Sequence, residues 1–240
     1  MLSFTPGPAF EREQEILCIG AHCDDIEIGC GGTLLALQAR YPDCRIHWLV
    51  LTSVPERRHE ALASFRAFVR PRVRGVVLIG ELEDTLLPSR LAEVKAQFGA
   101  CKAQVQPTLI FTHCGGDRHQ DHDLVNQVTW QTFRDHAILE YEIAKYDGDL
   151  ATPNFYLPLP RATAARKITL LLHAFESQRG KPWFQPENFE ALMRLRGIEC
   201  RAPDGLAEGF HCRKLVFGLE RSARPAGRGS PASRRRSDAT

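Results

Sequence analysis

Two short stretches of the sequence concentrate histidine and aspartate. "AHCDD" supplies His22, Asp24 and Asp25 directly after the apolar run "ILCIG". "THCGGDRHQDH" follows the apolar run "PTLIF" and supplies five more groups of the same two types: His113, Asp117, His119, Asp121 and His122. Imidazole and carboxylate are good zinc ligands, and a catalytic zinc site uses three of them and leaves a fourth position for water. The two stretches together therefore predict a metal site.

Spacing within each stretch supports this interpretation. His22 and Asp25 lie three residues apart on one turn and could converge on one ion, and His119 and His122 have the same separation. With three groups on a metal, one acid and one histidine would remain beside it as base and acid. Either stretch alone would more often be a turn or a helix cap than a metal site. Their joint occurrence favours the metal.

The surrounding elements predict where these groups meet. Four apolar runs are each followed by a helical pattern: strands over 16–22, 45–52, 74–80 and 107–114, and helices over about 32–40, 55–69, 89–104 and 122–137. Continuous Val, Ile and Leu strands alternating with helices predict a Rossmann-like three-layer α/β/α fold with a mostly parallel sheet. Ligands bind such sheets beyond the carboxyl ends of the strands, which is where both stretches lie.

The alternation stops after Ala137. We predict strands over 138–143, 154–159 and 213–220, with helices over about 161–176 and 187–196. Because no Pro/Gly/Ser linker intervenes, we expect one domain over 1–220, in which 138–220 extends the fold and covers the active-site end. Within it, "RGKPWFQPENF" is the best candidate for a substrate-facing loop. Residues 221–240 carry six Arg against one Asp, which predicts a disordered basic tail.

Net charge, apolar runs and cysteine content limit the classes of partner and the compartment that we expect. The net charge of +2 is more than accounted for by the tail, so we expect no nucleic-acid surface. No apolar run approaches the ~20 residues that span a bilayer, and the N-terminus does not have a signal peptide's pattern. Eight cysteines in 240 residues are only a modest enrichment, and several lie inside apolar strands, so we infer a reducing cytoplasm. No CxxC pair occurs, which argues against a thiolate zinc finger or a thioredoxin-type motif. The oligomeric state stays open, a homo-oligomer included.

The glycine-rich segment "GCGGTLL" follows the first strand and could cradle a phosphate. It matches neither the GxGxxG nor the GxxxxGK[ST] spacing, however, and no acidic residue ends the second strand. We therefore expect its glycines to permit a tight turn and close helix packing.

Three segments in order, "AHCDDIEIGCGGTL", "RRHEA" and "THCGGDRHQDH", resemble the PIG-L/LmbE-like family of zinc-dependent N-deacetylases. That family has an AHPDD turn followed by GGT, an R-x-x-E segment and a late His-x-Asp-His. The resemblance runs from about residue 16 to 135. It continues more loosely into "HAFESQ" and "GLAEGF".

The resemblance implies an LmbE-like fold and three zinc ligands: His22, Asp25 and His122. It further implies that Asp24 is the general base and His119 the electrostatic or acid partner. Arg57 falls at the family arginine that helps to bind substrate or oxyanion, although the adjacent Arg58 leaves this assignment open by one residue.

Several neighbouring residues keep two interpretations. Asp121 either hydrogen-bonds a neighbouring imidazole and fixes its tautomer or caps the following helix. His113 and Asp117 either touch substrate or are structural. Cys23 replaces the family's proline, and its thiol is either a ligand or oxidation point beside the metal or points away from it.

The expected activity is hydrolysis, by zinc-activated water, of an N-acetyl or other N-acyl group on an amino sugar such as N-acetylglucosamine or on a sugar conjugate. Another divalent metal could replace zinc. One alternative substrate is a non-sugar N-acylated metabolite, such as a nucleoside or an antibiotic intermediate. The other alternative is a non-catalytic metal- or carbohydrate-binding module, which would need neither Asp24 nor His119.

Overall fold

The computed structural model describes residues 14–71 and 74–216. Within these residues there are seven strands: β1 Glu15–Gly20, β2 Arg45–Thr52, β3 Arg74–Leu82, β4 Leu109–His113, β5 Ala137–Tyr141, β6 Phe155–Pro158 and β7 Ala207–His211. Six α-helices accompany them: α1 Asp25–Arg40, α2 Pro55–Phe68, α3 Leu91–Lys102, α4 Gln120–Thr132, α5 Arg161–Ala174 and α6 Pro186–Cys200. The predicted tail, 221–240, lies outside these residues.

All seven strands belong to one sheet with the order β3-β2-β1-β4-β5-β7-β6. The first five in this order are parallel, and β7 pairs antiparallel with both β5 and β6. Since β1 and β4 are neighbours, the loops that follow them emerge side by side at one edge of the sheet. The sheet order thus brings together the two predicted clusters.

Helices cover both faces of the sheet. Ile16 and Cys18 of β1 point into a core shared with α1, α2 and α5. Leu17 and Ile19 point to the opposite face, into a core shared with α3 and α4. This alternation buries β1 from both sides and confirms the predicted three-layer α/β/α fold. In the part of the chain described, no helix is both long and apolar enough to cross a bilayer.

Two element predictions are wrong in position, and the helix predicted over about 122–137 ends earlier, at Thr132, before β5 begins at Ala137. Helix α1 begins at Asp25 rather than near Gly32. The sequence predicted a later start because glycine lowers helix propensity, whereas in the structure close packing against the helix requires glycine. At Gly29, a Cβ would overlap Cδ2 of the Tyr141 ring. The last described strand is β7, and residues 213–216 of the predicted 213–220 strand are not extended into the sheet. Residues 217–220 lie outside the described residues.

The pairing of β7 with β5 and β6 explains why the last strand was predicted in the wrong place. Its sequence, "AEGFH", has weak strand propensity, yet Ala207 and Phe210 are fully buried between β5 and β6. By contrast, Arg213 turns towards α4 and β5, where its guanidinium stacks on Trp130 and its Nε lies 2.5 Å from Glu140 Oε1 in an ion pair. Tertiary pairing therefore overrides local preference at this end of the chain.

A buried ion pair holds α1 from the side. The Glu208 carboxylate accepts hydrogen bonds from the backbone N–H groups of Gly32 (2.9 Å) and Thr33 (2.6 Å). Lys167 Nζ lies 2.6 Å from Glu208 Oε1 and donates to the Ile28 carbonyl at 2.7 Å. A Cβ on Gly32 would come within 2.9 Å of the carboxylate, so glycine is needed where Glu208 reaches the helix backbone.

Candidate metal centre and active site

The loops after β1 and β4 place the three predicted ligands around one point. His22 Nδ1 lies 3.1 Å from His122 Nε2 and 3.3 Å from Asp25 Oδ2, and His122 Nε2 lies 3.6 Å from Asp25 Oδ1. A tetrahedral zinc with bonds of about 2.0–2.1 Å separates its ligand atoms by about 3.3 Å. The donor types and their spacing therefore fit a single zinc ion.

More than one ligand combination is available here. Among the described residues, three overlapping groups could each hold an ion: His22, His119 and His122; Asp25, His113 and His122; and His22, Asp84 and Asp121. The predicted set draws on the first two. Burial lowers the pKa of His22, but Asp25, Asp121 and Asp84 outweigh it and raise that pKa well above its usual value. The same surrounding carboxylates favour a bound cation.

Asp24 lies beside this cluster, paired with Arg57. The Arg57 Nη2 group donates to Asp24 Oδ1 at 2.7 Å, while Nη1 donates to Glu60 Oε2 (3.2 Å) and to Ser177 Oγ (3.0 Å). Burial raises the pKa of Asp24 above its usual value, and the guanidinium opposes this rise. Arg58 instead donates to the Ile79 carbonyl. Arg57, rather than Arg58, thus reaches the cluster.

His119 is the N-cap of α4. Its Nδ1 accepts the Asp121 backbone N–H at 3.3 Å, so the proton of the neutral ring is on Nε2. The ring centroid lies 5.0 Å from that of His22 and 4.6 Å from that of His122. Burial, reinforced by these two imidazoles, lowers the pKa of His119. A neutral N–H donor therefore stands next to the three candidate ligands.

Asp121 is fully buried and is not the cap of α4. Its carboxylate accepts the backbone N–H groups of Thr85 (2.7 Å) and Leu87 (3.1 Å) and lies 3.2 Å from His22 Nε2. The capping interpretation is wrong, because His119 occupies that position. The contact with His22 fits the other interpretation, a carboxylate that fixes an imidazole tautomer.

Asp84 is a site residue that the sequence did not predict. Its Oδ1 lies 2.8 Å from His22 Nε2, and its side chain is 67% exposed. It follows β3 in a connection whose acidic, irregular sequence gives no periodic pattern. Thr85, next to it, has φ 69°, a conformation uncommon for threonine. The bond from its N–H to Asp121 holds this turn against the cluster.

His113 and Asp117 both contact the His122 ring. The His113 side chain is fully buried, stacks on His122 with a centroid distance of 3.9 Å, and accepts the Ala21 N–H at Nε2. Burial and the neighbouring His122 lower its pKa to about 4. Asp117 Oδ2 lies 2.8 Å from His122 Nδ1. The structural interpretation fits both residues, since neither is open to a substrate.

Cys23 points away from the cluster. Its side chain is buried, and the thiol lies 3.5 Å from the Thr52 carbonyl, to which it donates. Burial raises the pKa of this thiol to about 12, so it is not a thiolate at neutral pH. The geometry gives Cys23 no role as a ligand.

The predicted substrate loop is anchored partly in the core. Phe184 and Phe189 are buried, and Trp183 packs against the same core as α1 and α2. Lys181 Nζ donates to Gln178, whose amide donates to Ser177 Oγ beside Arg57. The loop thus connects to the site through Ser177, while its contact with substrate stays a prediction.

Solved structures share this fold at low sequence identity. A conserved protein from Thermus thermophilus is 22% identical, with a TM-score of 0.63 over 86% of this chain and 99% of its own. The N,N'-diacetylchitobiose deacetylase from Pyrococcus horikoshii is 17% identical, with a TM-score of 0.66 over 85% of each chain. GalB, a 4-carboxy-2-hydroxymuconate hydratase from Pseudomonas putida, is 16% identical, with a TM-score of 0.68 over 87% of this chain and all of its own.

The sequence itself matches a described family. No curated protein matches the chain. Residues 17–133, however, match the sequence model of the family described as PIG-L, GlcNAc-PI de-N-acetylase. That segment contains all three candidate ligands as well as Asp24, Arg57 and His119. Residues 17–133 are therefore identified as a PIG-L family segment, as the resemblance of the motifs predicted.

Proposed function

We propose that this protein is a zinc-dependent N-deacetylase that hydrolyses the acetamide of an amino sugar or sugar conjugate to acetate and a free amine. The observation that carries this proposal is the convergence of His22 Nδ1, the Asp25 carboxylate and His122 Nε2 to within 3.1–3.6 Å of one another. The match of residues 17–133 to the PIG-L family model supports the same reaction.

His22, Asp25 and His122 would hold the ion. When bound, zinc supplies a Lewis acid and lowers the pKa of a coordinated water to about 7. Asp121 would fix the tautomer of His22, since its carboxylate lies 3.2 Å from the ring nitrogen that faces away from His122. Asp117 would do the same for His122.

Asp24 would take the proton of the attacking water as general base. Arg57 opposes the rise that burial causes in the pKa of this carboxyl, and it fixes the direction of the group through the 2.7 Å bond to Oδ1. His119 Nε2–H would donate to the developing oxyanion or to the departing amine. Removing one such donor typically lowers the rate by about 10²–10³-fold.

The substrate assignment rests on relatives as well as on this chain. The matched family carries the description GlcNAc-PI de-N-acetylase. The fold is shared with the chitobiose deacetylase and with the deacetylase of A40926 pseudoaglycone. The fold alone does not choose the reaction, because GalB is a hydratase. A non-sugar N-acylated metabolite is the second candidate. Asp24 and His119 favour an enzyme over a module that only binds.

The test is metal analysis combined with amine release from N-acetylglucosamine, its conjugates and an N-acetylated nucleoside. We expect about one zinc per chain and release of amine and acetate in equal amounts. Asp24→Asn should retain zinc and lower kcat by about 10²–10⁴-fold. Asp43→Asn, an exposed aspartate, is the matched control and should leave kcat unchanged. A protein that binds no divalent metal, or one whose Asp24→Asn variant turns over normally, would refute the proposal.

We further propose a reducing compartment, the cytoplasm, for this enzyme. All eight cysteines are free, and six of them are buried. Disulfides are rare in reduced compartments, so unpaired buried thiols fit such a location. A fusion to a fluorescent protein would show the compartment directly, and an exported product would contradict the proposal.

A further inference from the structure

Lys145, in the loop between β5 and β6, contacts Asp117, the carboxylate beside the candidate ligand His122. Lys145 Nζ lies 3.0 Å from Asp117 Oδ1 and also contacts the Asp149 carboxylate. All three side chains are largely buried, with exposures of 12%, 3% and 5% respectively. Burial lowers the pKa of Lys145, but Asp149 and Asp117 outweigh it and raise that pKa above its usual value. Lys145 is therefore a buried cation between two carboxylates.

Asp117 passes this contact on to a candidate ligand. Its Oδ1 accepts the His119 backbone N–H at 2.9 Å, and its Oδ2 lies 2.8 Å from His122 Nδ1. Since His122 Nε2 faces His22 and Asp25, the proton of the ring belongs on Nδ1, from which it is donated to Asp117. The direction of the His122 ring thus depends on where the Asp117 carboxylate is held.

We propose that Lys145 is a positioning residue for the metal centre, which acts through Asp117 to aim His122 Nε2 at the ion. The inference rests on the ligand set of the proposed function. Without the lysine, the Asp117 and Asp149 carboxylates, which both contact its ammonium, would face each other with no cation between them. Their repulsion in a buried place favours a shift of Asp117, and the imidazole then loses its fixed orientation.

The first test compares zinc affinity by competition with a chelator, on purified full-length protein, for wild type, Lys145→Met and Lys145→Arg. Loss of an outer carboxylate partner typically weakens metal binding by about 10–100-fold, so we expect about 10-fold for Lys145→Met and recovery in Lys145→Arg. Lys102→Met removes an exposed lysine whose Nζ donates to the Thr132 carbonyl and lies over the Phe133 ring, and this variant should bind zinc as wild type does.

A double variant separates positioning from general stability. If Lys145 acts through Asp117, adding Lys145→Met to Asp117→Asn should change the zinc affinity by less than about 2-fold. Cobalt-loaded Lys145→Met should also show an altered visible spectrum, because the ligand geometry is changed. Lys145→Gln, which carries no charge but keeps a polar group in place of the ammonium, replaces Lys145→Met if that variant does not fold, and should also weaken zinc binding, because the Asp117 and Asp149 carboxylates again face each other with no cation between them.

The outcomes are distinct from those of the deacetylase proposal. Equal zinc affinities in wild type and Lys145→Met would overturn the inference and leave the activity untouched. Full additivity with Asp117→Asn would also overturn it, because Lys145 would then act by another route. A wild-type protein that binds no metal would instead reject the ligand set itself.

Discussion

Replacing Glu208 by Gln should destabilise the fold severely, although the residue is distant in sequence from the helix it holds. In the wild type, both carboxylate oxygens accept backbone N–H groups of α1, and Oε1 also pairs with Lys167 at 2.6 Å. The amide keeps one acceptor, turns an NH₂ group towards a backbone donor, and leaves Lys167, 3% exposed, without its counter-charge. Breaking a buried pair in this way typically costs about 3–5 kcal/mol.

Urea unfolding followed by circular dichroism measures this loss. A domain of this kind is stable by about 5–15 kcal/mol, so the variant should be folded but with a much lower urea midpoint and an unchanged m-value. Since 1 kcal/mol shifts Tm by about 2–4 °C at 150–250 residues, the expected fall in Tm is roughly 6–20 °C.

Two further variants decide whether the reasoning is right. Lys167→Met/Glu208→Gln removes both charges of this pair. Its loss of stability should be well below the sum of the losses in Lys167→Met and in Glu208→Gln. Glu190→Gln breaks an exposed pair with Arg194 and should cost only about 0–1 kcal/mol. A Glu208→Gln variant within 1 kcal/mol of wild type, or strictly additive losses, would refute the account of this ion pair.

Two other perturbations test the site and the packing. Arg57→Gln removes the cation that lowers the pKa of Asp24; since the base works only when ionised, the fall of kcat/KM on the acid side should move to higher pH, and an unmoved profile would count against the Asp24 assignment. Gly29→Ala places a methyl group against the Tyr141 ring and should cost about 1–3 kcal/mol, measured by urea unfolding. Gly99→Ala, in open space on α3, should instead stabilise by about 0.5–1 kcal/mol, and equal effects at the two glycines would contradict the packing argument.

The strand pattern was predictable because β1, β2 and β4 are buried on both faces and so read as continuous apolar runs. Parallel strands also put their carboxyl ends at one edge, which is why the sequence could bring His22 and His122 together. The start of α1 was missed because Gly29 and Gly32 look like helix breakers until Tyr141 and Glu208 are in place. Local sequence cannot contain that information.

The supporting residues were missed for a related reason. Asp84 and Lys145 lie in irregular connections, where no periodicity indicates which way a side chain points. Their partners, His22 and Asp117, are 62 and 28 residues away in the chain. Contacts of this kind depend on sheet order, and the antiparallel insertion of β7 between β5 and β6 was not foreseen.

The bond from Gly32 to Glu208 spans 176 residues, and it sets a limit on when the enzyme can mature. During synthesis, α1 leaves the ribosome long before β7 exists, so the helix that carries Asp25 waits for its lateral support until nearly the whole chain has been made. Contacts closed over such long separations form slowly. A nascent chain stalled before residue 208 should therefore leave α1 and the candidate metal centre without this support and open to cellular proteases. This holds even though residues 17–133, the segment that matches the family model, have already been made.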